Sequence, residues 1–181
     1  ALHYHGLTEQ APRRVFVLTT TDVSVPRVRN NKKEIVESGY PVGNTFYQFI
    51  QVKPDRYFGT QSVWVGDAKT TITDPERTLL DGLTMPKLCG DFAEVLHAFE
   101  TRGNNLHLER IVGYALRMDV AVAKRLGWVL ESFSLGTESP ALMEVLSKIP
   151  VKGYSALDVG GPRKGPRNRK WMVQENLPGK V

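Results

Sequence analysis

Lys69-Thr70-Thr71-Ile72-Thr73-Asp74-Pro75-Glu76-Arg77-Thr78-Leu79-Leu80-Asp81 is where the chain changes its period. Thr70 to Thr73 are all β-branched, a run that favours an extended strand. Asp74 then stands where a side-chain oxygen can accept from the first free amides of a helix. Pro75 suits the first helical position, where no amide partner is lost. Leu79, Leu80 and Leu83 follow at the spacing of one apolar helical face.

Working outward from this switch, the upstream sequence reads as strands. Gln61-Ser62-Val63-Trp64-Val65 faces Lys69–Thr73 across Gly66-Asp67-Ala68, a hairpin signal. Arg14–Thr20 and Thr45–Val52 are rich in β-branched and aromatic residues and predict two more strands. Pro26 and Asn30-Asn31 break the chain between them, and Gly39–Asn44 is a turn by composition. Downstream the period is helical. Pro86 and Gly90 end the first helix, and Asp91–Arg102 follows with Phe92, Val95, Leu96 and Phe99 on one side. Leu106–Met118, Val120–Phe133 and Pro140–Ile149 complete a four- to five-helix segment. Tyr154–Val159 and Lys170–Gln174 predict a terminal strand pair, joined by a Gly/Pro/Arg-rich connection. Strands, then helices, then strands predict an α+β fold with a largely antiparallel sheet. Regular βαβ alternation is absent, which argues against a doubly wound nucleotide-binding fold.

The 181 residues, 41% of them hydrophobic, suit one domain able to bury a sizeable core. Cys89 is the single cysteine, so no internal disulfide forms. No apolar run approaches the roughly 20 residues of a membrane span, and neither a signal peptide nor secretion is expected, which makes the cytoplasm the expected compartment. The apolar opening Ala1-Leu2-His3-Tyr4-His5-Gly6-Leu7 does not resemble a frayed terminus. It suggests that residues 1–10 form a junction to an upstream domain, with residues 1–181 making up the domain itself.

Charge is unevenly spread. The net charge is +5, yet residues 1–150 hold 17 bases and 17 acids. Residues 151–181 hold seven bases against two acids and supply the whole excess. Arg163, Lys164, Arg167, Arg169 and Lys170 crowd into eight positions. A second basic stretch, Arg13, Arg14, Arg27, Arg29, Lys32 and Lys33, meets only Asp22 between residues 11 and 33. Such asymmetry points to a polyanionic partner. We therefore take Arg163, Lys164, Arg167, Arg169 and Lys170 as candidate nucleic-acid contacts on a flexible basic arm, with Trp171 as a stacking platform and Arg13, Arg14, Arg27 and Arg29 in support. The bland alternative is a solvated connection.

Catalytic chemistry is harder to find. Gly160-Gly161-Pro162-Arg163-Lys164-Gly165 is glycine-rich but leads to a strand, where a phosphate loop needs a helix start. His3, His5, His97, His107 and Cys89 lack the spacing of a metal site. Cys89 reads as a small buried hydrophobe, and no elbow sequence supports a nucleophilic triad. Asp67-Ala68-Lys69 with Asp74 superficially matches a metal-dependent nuclease. That alternative competes with ordinary turn and capping roles for both acids.

Four strings, taken together, resemble the C-terminal domain of AbiEi-type antitoxins. They are Ala1–Thr8, Thr71–Asp81, Arg125-Leu126-Gly127-Trp128-Val129-Leu130-Glu131, and Leu157-Asp158 followed by Arg169-Lys170-Trp171. They occur in the family's order and cover nearly the whole chain. The resemblance implies a non-catalytic antitoxin and transcriptional autorepressor of a type IV toxin–antitoxin, abortive-infection system. It implies a nucleotidyltransferase-like toxin as partner, no cofactor, and operator DNA read mainly by a winged helix-turn-helix preceding residue 1.

Overall fold

The switch at residues 69–81 is a strand, a cap and a helix in the computed structural model, which describes residues 1–29, 35–136, 139–149 and 152–177. Strand β7 (Ala68–Thr73) runs into helix α1 (Pro75–Thr84). The Asp74 carboxylate accepts from the Arg77 amide at 2.7 Å, and Pro75 occupies the first turn. Leu79, Leu80 and Leu83 are fully buried. The fold is α+β, and the chain divides into two compact units: residues 9–58, and residues 1–8 with 59–181.

The unit of residues 9–58 is built on β1 (Arg14–Thr19), β2 (Arg27–Arg29), β3 (Ile35–Ser38), β4 (Tyr40–Val42) and β5 (Thr45–Gln51). One sheet has the order β1-β5-β4, and β2 and β3 form a separate antiparallel ribbon. The expected largely antiparallel sheet is met only in part, because the sheets are mixed: β1 and β5 pair in parallel, from Arg14 with Phe46 to Thr19 with Gln51. A parallel pair needs a crossover of a dozen or more residues, and residues 20–44 provide one. The strand composition of β1 and β5 is visible locally, but partner direction depends on this long connection. The segment 39–44 is only partly turn. Tyr40-Pro41-Val42 is a strand and Gly43-Asn44 the hairpin loop, with Pro41 tolerated because β4 is an edge.

In the other unit, β6 (Thr60–Val65) and β7 form an antiparallel hairpin. Five helices follow: α1, α2 (Phe92–Arg102), α3 (Leu108–Met118), α4 (Val120–Ser132) and α5 (Pro140–Lys148). Asp91 and Asp119 cap α2 and α4 as Asp74 caps α1, each accepting a backbone amide at 2.9 Å. Val95, Phe99, Ile111, Val112, Val122, Leu126 and Val129 are buried where α2, α3 and α4 pack with α1. No described helix is long and apolar enough to cross a membrane.

The chain then makes three short strands, where a pair was expected: β8 (Ser155–Ala156), β9 (Arg167–Asn168) and β10 (Val173–Gln174), in the order β8-β10-β9. β10 lies parallel to β8 and antiparallel to β9. Arg169 to Met172 form the turn between β9 and β10 and are not strand. Only two residues per strand pair regularly, too few for alternation to be visible in sequence.

Candidate nucleic-acid interface

The basic segment is mounted on α4. Four polar or amphipathic residues along that helix hold the C-terminal sheet. Lys124 donates from Nζ to the Gly153 carbonyl at 2.6 Å. Arg125 donates from Nε to the Ala156 carbonyl at 2.8 Å. Both cations are buried, and burial lowers their proton affinity; nearby Asp119 and Asp158 partly oppose this for Arg125. Trp128 donates from Nε1 to Glu175 at 2.8 Å, and the same carboxylate oxygen accepts from Asn168 Nδ2 at 3.1 Å. Glu131 accepts from Lys170 Nζ at 2.8 Å and also from Trp171 Nε1. The Lys170 hydrogen bond, and secondarily that of Trp171, holds the Glu131 carboxyl below its usual range. A depressed carboxylate stabilises the fold above its unfolded value near 4.5 and loses that contribution as the pH falls through its folded value.

Trp171 is 1% exposed, its ring lying against Gly127 of α4, where a Cβ would overlap it. This corrects the expectation of a stacking platform: the ring is core and cannot meet a base. The connection is also not a loose arm. Asn176, 1% exposed, accepts the Asp158 amide at 2.8 Å and donates to the carbonyls of Asp158 at 2.8 Å and Pro162 at 2.9 Å. The Glu175 amide donates to the Pro166 carbonyl at 2.8 Å. Gly165, with φ +138°, passes so close to the Glu175 carbonyl that no side chain fits there. A run of glycine and proline usually signals flexibility, but here it lets the backbone press against a buried amide side chain.

On this frame Arg163, Lys164, Arg167, Arg169 and Lys170 are all exposed. Lys170 is engaged by Glu131 and also lies 5.5 Å from the centre of the Trp171 ring. Arg167 stacks its guanidinium 5.1 Å from the centre of the Tyr154 ring. No described carboxylate lies within ion-pair distance of Arg163, Lys164, Arg167 or Arg169. Tyr154 was not among the expected site residues. Its aromatic ring, beside a strand in the basic third of the chain, was the available signal.

The supporting residues fall in the other unit. Arg13 is exposed ahead of β1. Arg14, at the start of β1, lies over the Phe46 ring at 5.1 Å and donates to Gln48 Oε1 at 3.1 Å. Arg27 of β2 lines a cleft of about 220 Å³ with Asp22, Thr19, Ser38 and Gln51. The Arg29 side chain, Lys32 and Lys33 lie outside the described residues. β1 and β2 belong to different sheets, so these bases are not gathered on one element.

Several of the remaining chemical candidates have structural partners. Asp67 lies in the β6–β7 turn, and Asp74 follows the far end of β7. Six strand residues separate them, about 20 Å at the rise of a β-strand, so one metal cannot take both. Asp74 also accepts from the Tyr114 hydroxyl at 3.0 Å. Arg77 donates to Asp81 at 2.9 Å, and Asp81 is nonetheless pushed above its ordinary value, chiefly by burial. Glu76 accepts the His107 amide at the start of α3 at 3.0 Å, with Arg110 3.5 Å from its other oxygen. His5 donates from Nε2 to the Thr73 carbonyl at 2.7 Å. His97 is exposed beside Glu100. Burial, then the charge of Asp81, pushes the half-buried Cys89 thiol up to about 12, which leaves it protonated and a poor nucleophile near neutral pH. No group of three potential metal ligands occurs among the described residues. No family model, curated protein or solved structure matches the chain.

Proposed function

We propose that the chain is a non-catalytic antitoxin and transcriptional autorepressor domain of the AbiEi type, which counteracts a nucleotidyltransferase-like toxin and contacts DNA phosphates through its C-terminal basic surface. One observation carries the DNA part. Arg163, Lys164, Arg167 and Arg169 are exposed and free of ion pairs among the described residues, on a backbone fixed by Asn176 and α4. Cations carried on a backbone that is already fixed leave only side-chain freedom to lose on meeting phosphates, and each phosphate they neutralise releases a condensed counterion.

The antitoxin part is supported by where the four family-like strings lie. His5 of the first bonds Thr73 of the second. Glu131 of the third bonds Lys170 and Trp171 of the fourth. The strings thus meet in pairs as parts of one frame, and most of their residues explain folding. Phosphate binding gives affinity with little sequence preference, so operator selectivity would come from another domain.

The test is a salt titration of duplex DNA binding. The parent chain should lose affinity along a straight log–log line. Replacing Arg163, Lys164, Arg167 and Arg169 with alanine should flatten that line by about 0.9 for every phosphate no longer neutralised, roughly 2 to 4 in all. Lys170→Ala should change it least, since Glu131 already neutralises that ammonium. An unchanged slope in a folded quadruple variant would remove the DNA role. Failure of the co-expressed chain to relieve growth arrest by the toxin would remove the antitoxin role.

A further inference from the structure

The C-terminal sheet has two unlike faces. Residues paired across a ladder share a face, and neighbours along a strand alternate. Val173 pairs with Ser155 and Asn168, and Val173 is fully buried. The opposite face carries Ala156 and Arg167, which both pair with Gln174, and the ring of Tyr154, just ahead of β8, lies beside Arg167. Tyr154 keeps 39% of its surface open while Arg167 covers part of its ring at 5.1 Å. Gln174 is anchored through its amide to the Gly165 carbonyl at 3.4 Å. An aromatic ring and a guanidinium plane therefore share one solvent-facing sheet surface. The exposed Arg163 and Lys164 stand on the connection into that sheet, and Arg169 in its turn.

Duplex phosphates need only cations. A ring left open on a rigid sheet has a second use: every unpaired base has a flat face that stacks on such a surface, while bases inside a duplex are already stacked. Resting on the phosphate-binding reading above, we infer that this face binds a single-stranded nucleic acid. An unpaired base stacks on the Tyr154–Arg167 pair, and its flanking phosphates are held by Arg163, Lys164 and Arg169. Such stacking is tolerant of base identity, because it reads a π-face and not a hydrogen-bonding edge. No carboxylate among the described residues pairs with these four bases, so the surface suits an anionic strand.

The experiment measures anisotropy of labelled single strands of DNA and RNA about 12 nucleotides long, within the span a single-strand surface of this kind covers, and of a duplex of equal length, with the 181-residue chain. Tyr154→Ala should weaken single-strand binding about tenfold and leave duplex binding within about twofold. Tyr154→Phe should keep the parent affinity, because the ring stacks and the hydroxyl does not. The Arg163, Lys164 and Arg169 triple alanine variant should weaken both ligands. Equal losses on both ligands in Tyr154→Ala, or no loss on either, would overturn the stacking inference and leave phosphate binding standing. If the triple variant changes neither ligand, the phosphate reading falls, while the Tyr154 comparison still decides stacking. The DNA and RNA arms show whether the 2′-hydroxyl contributes. Circular dichroism confirms folding, and Tyr154 is exposed enough for its loss to leave the core intact.

Discussion

Trp171→Ala is expected to lower unfolding stability by about 4 kcal/mol, the usual range for removing a buried aromatic ring. The ring is 1% exposed and packs on Gly127, a position that tolerates no side chain beneath it. Alanine there leaves a cavity against α4 that rigid helix backbone cannot fill. It also removes the indole donor to Glu131, whose carboxylate then keeps Lys170 alone. In a chain of 181 residues a loss of this size corresponds to a fall in Tm of about 10 °C, read by thermal denaturation. Trp171→Phe separates the two contributions: it keeps most of the apolar volume, loses the indole hydrogen bond, and should cost about 1 to 2 kcal/mol. A fall in Tm below about 3 °C for Trp171→Ala would show that the β9–β10 turn is not mounted on α4 in this way.

In a run of five bases in eight residues, a tryptophan next door looks like a base platform, because both arginine and tryptophan recur where nucleic acid is bound. What assigns Trp171 to the core is the glycine at position 127, far upstream in the chain, and no local pattern links the two. The same holds for strand direction. The composition of β1 and β5 is evident in Arg14–Thr19 and Thr45–Gln51, but their parallel pairing depends on how residues 20–44 cross over. Helix starts were legible because their causes are local: Asp74, Asp91 and Asp119 each cap within three residues. The exposed bases were legible because charge is additive along sequence. Tyr154 was not singled out because the two-residue strand that follows it gives no periodic signal, and only its contact with Arg167 brings its ring to the basic segment. The nuclease candidates were misleading for a related reason. Asp67 and Asp74 are seven positions apart in sequence, but extended β7 holds them at opposite ends of the hairpin.

Asn176→Asp tests whether the basic surface depends on a fixed backbone. The two side chains have nearly the same volume, so packing is preserved and only hydrogen-bond chemistry changes. Asn176 uses its oxygen to accept from the Asp158 amide and its nitrogen to donate to two carbonyls, those of Asp158 and Pro162. A carboxylate can still accept but cannot donate. The Pro162 carbonyl would lose this donor, the Asp158 carbonyl would keep only the Gly161 amide at 3.3 Å, and both would face a negative charge beside a side chain that is 1% exposed. Two lost donated hydrogen bonds and an unpaired buried charge should together cost about 4 kcal/mol. Release of the 158–166 connection avoids part of this cost by letting the carbonyls reach water. Arg163 and Lys164 would then hang on mobile backbone, while Arg169 stays with the Trp171 turn. The expected outcome is therefore twofold: a lower midpoint in urea, and weaker DNA binding at temperatures where circular dichroism still reports full helix content. Hydrogen exchange should show lost protection at the amides of Asp158, Gly161 and Glu175, with the amides of α3 and α4 unchanged. If DNA affinity stays at the parent value while that protection is lost, the bases bind equally well from a loose loop, and the fixed frame serves stability alone.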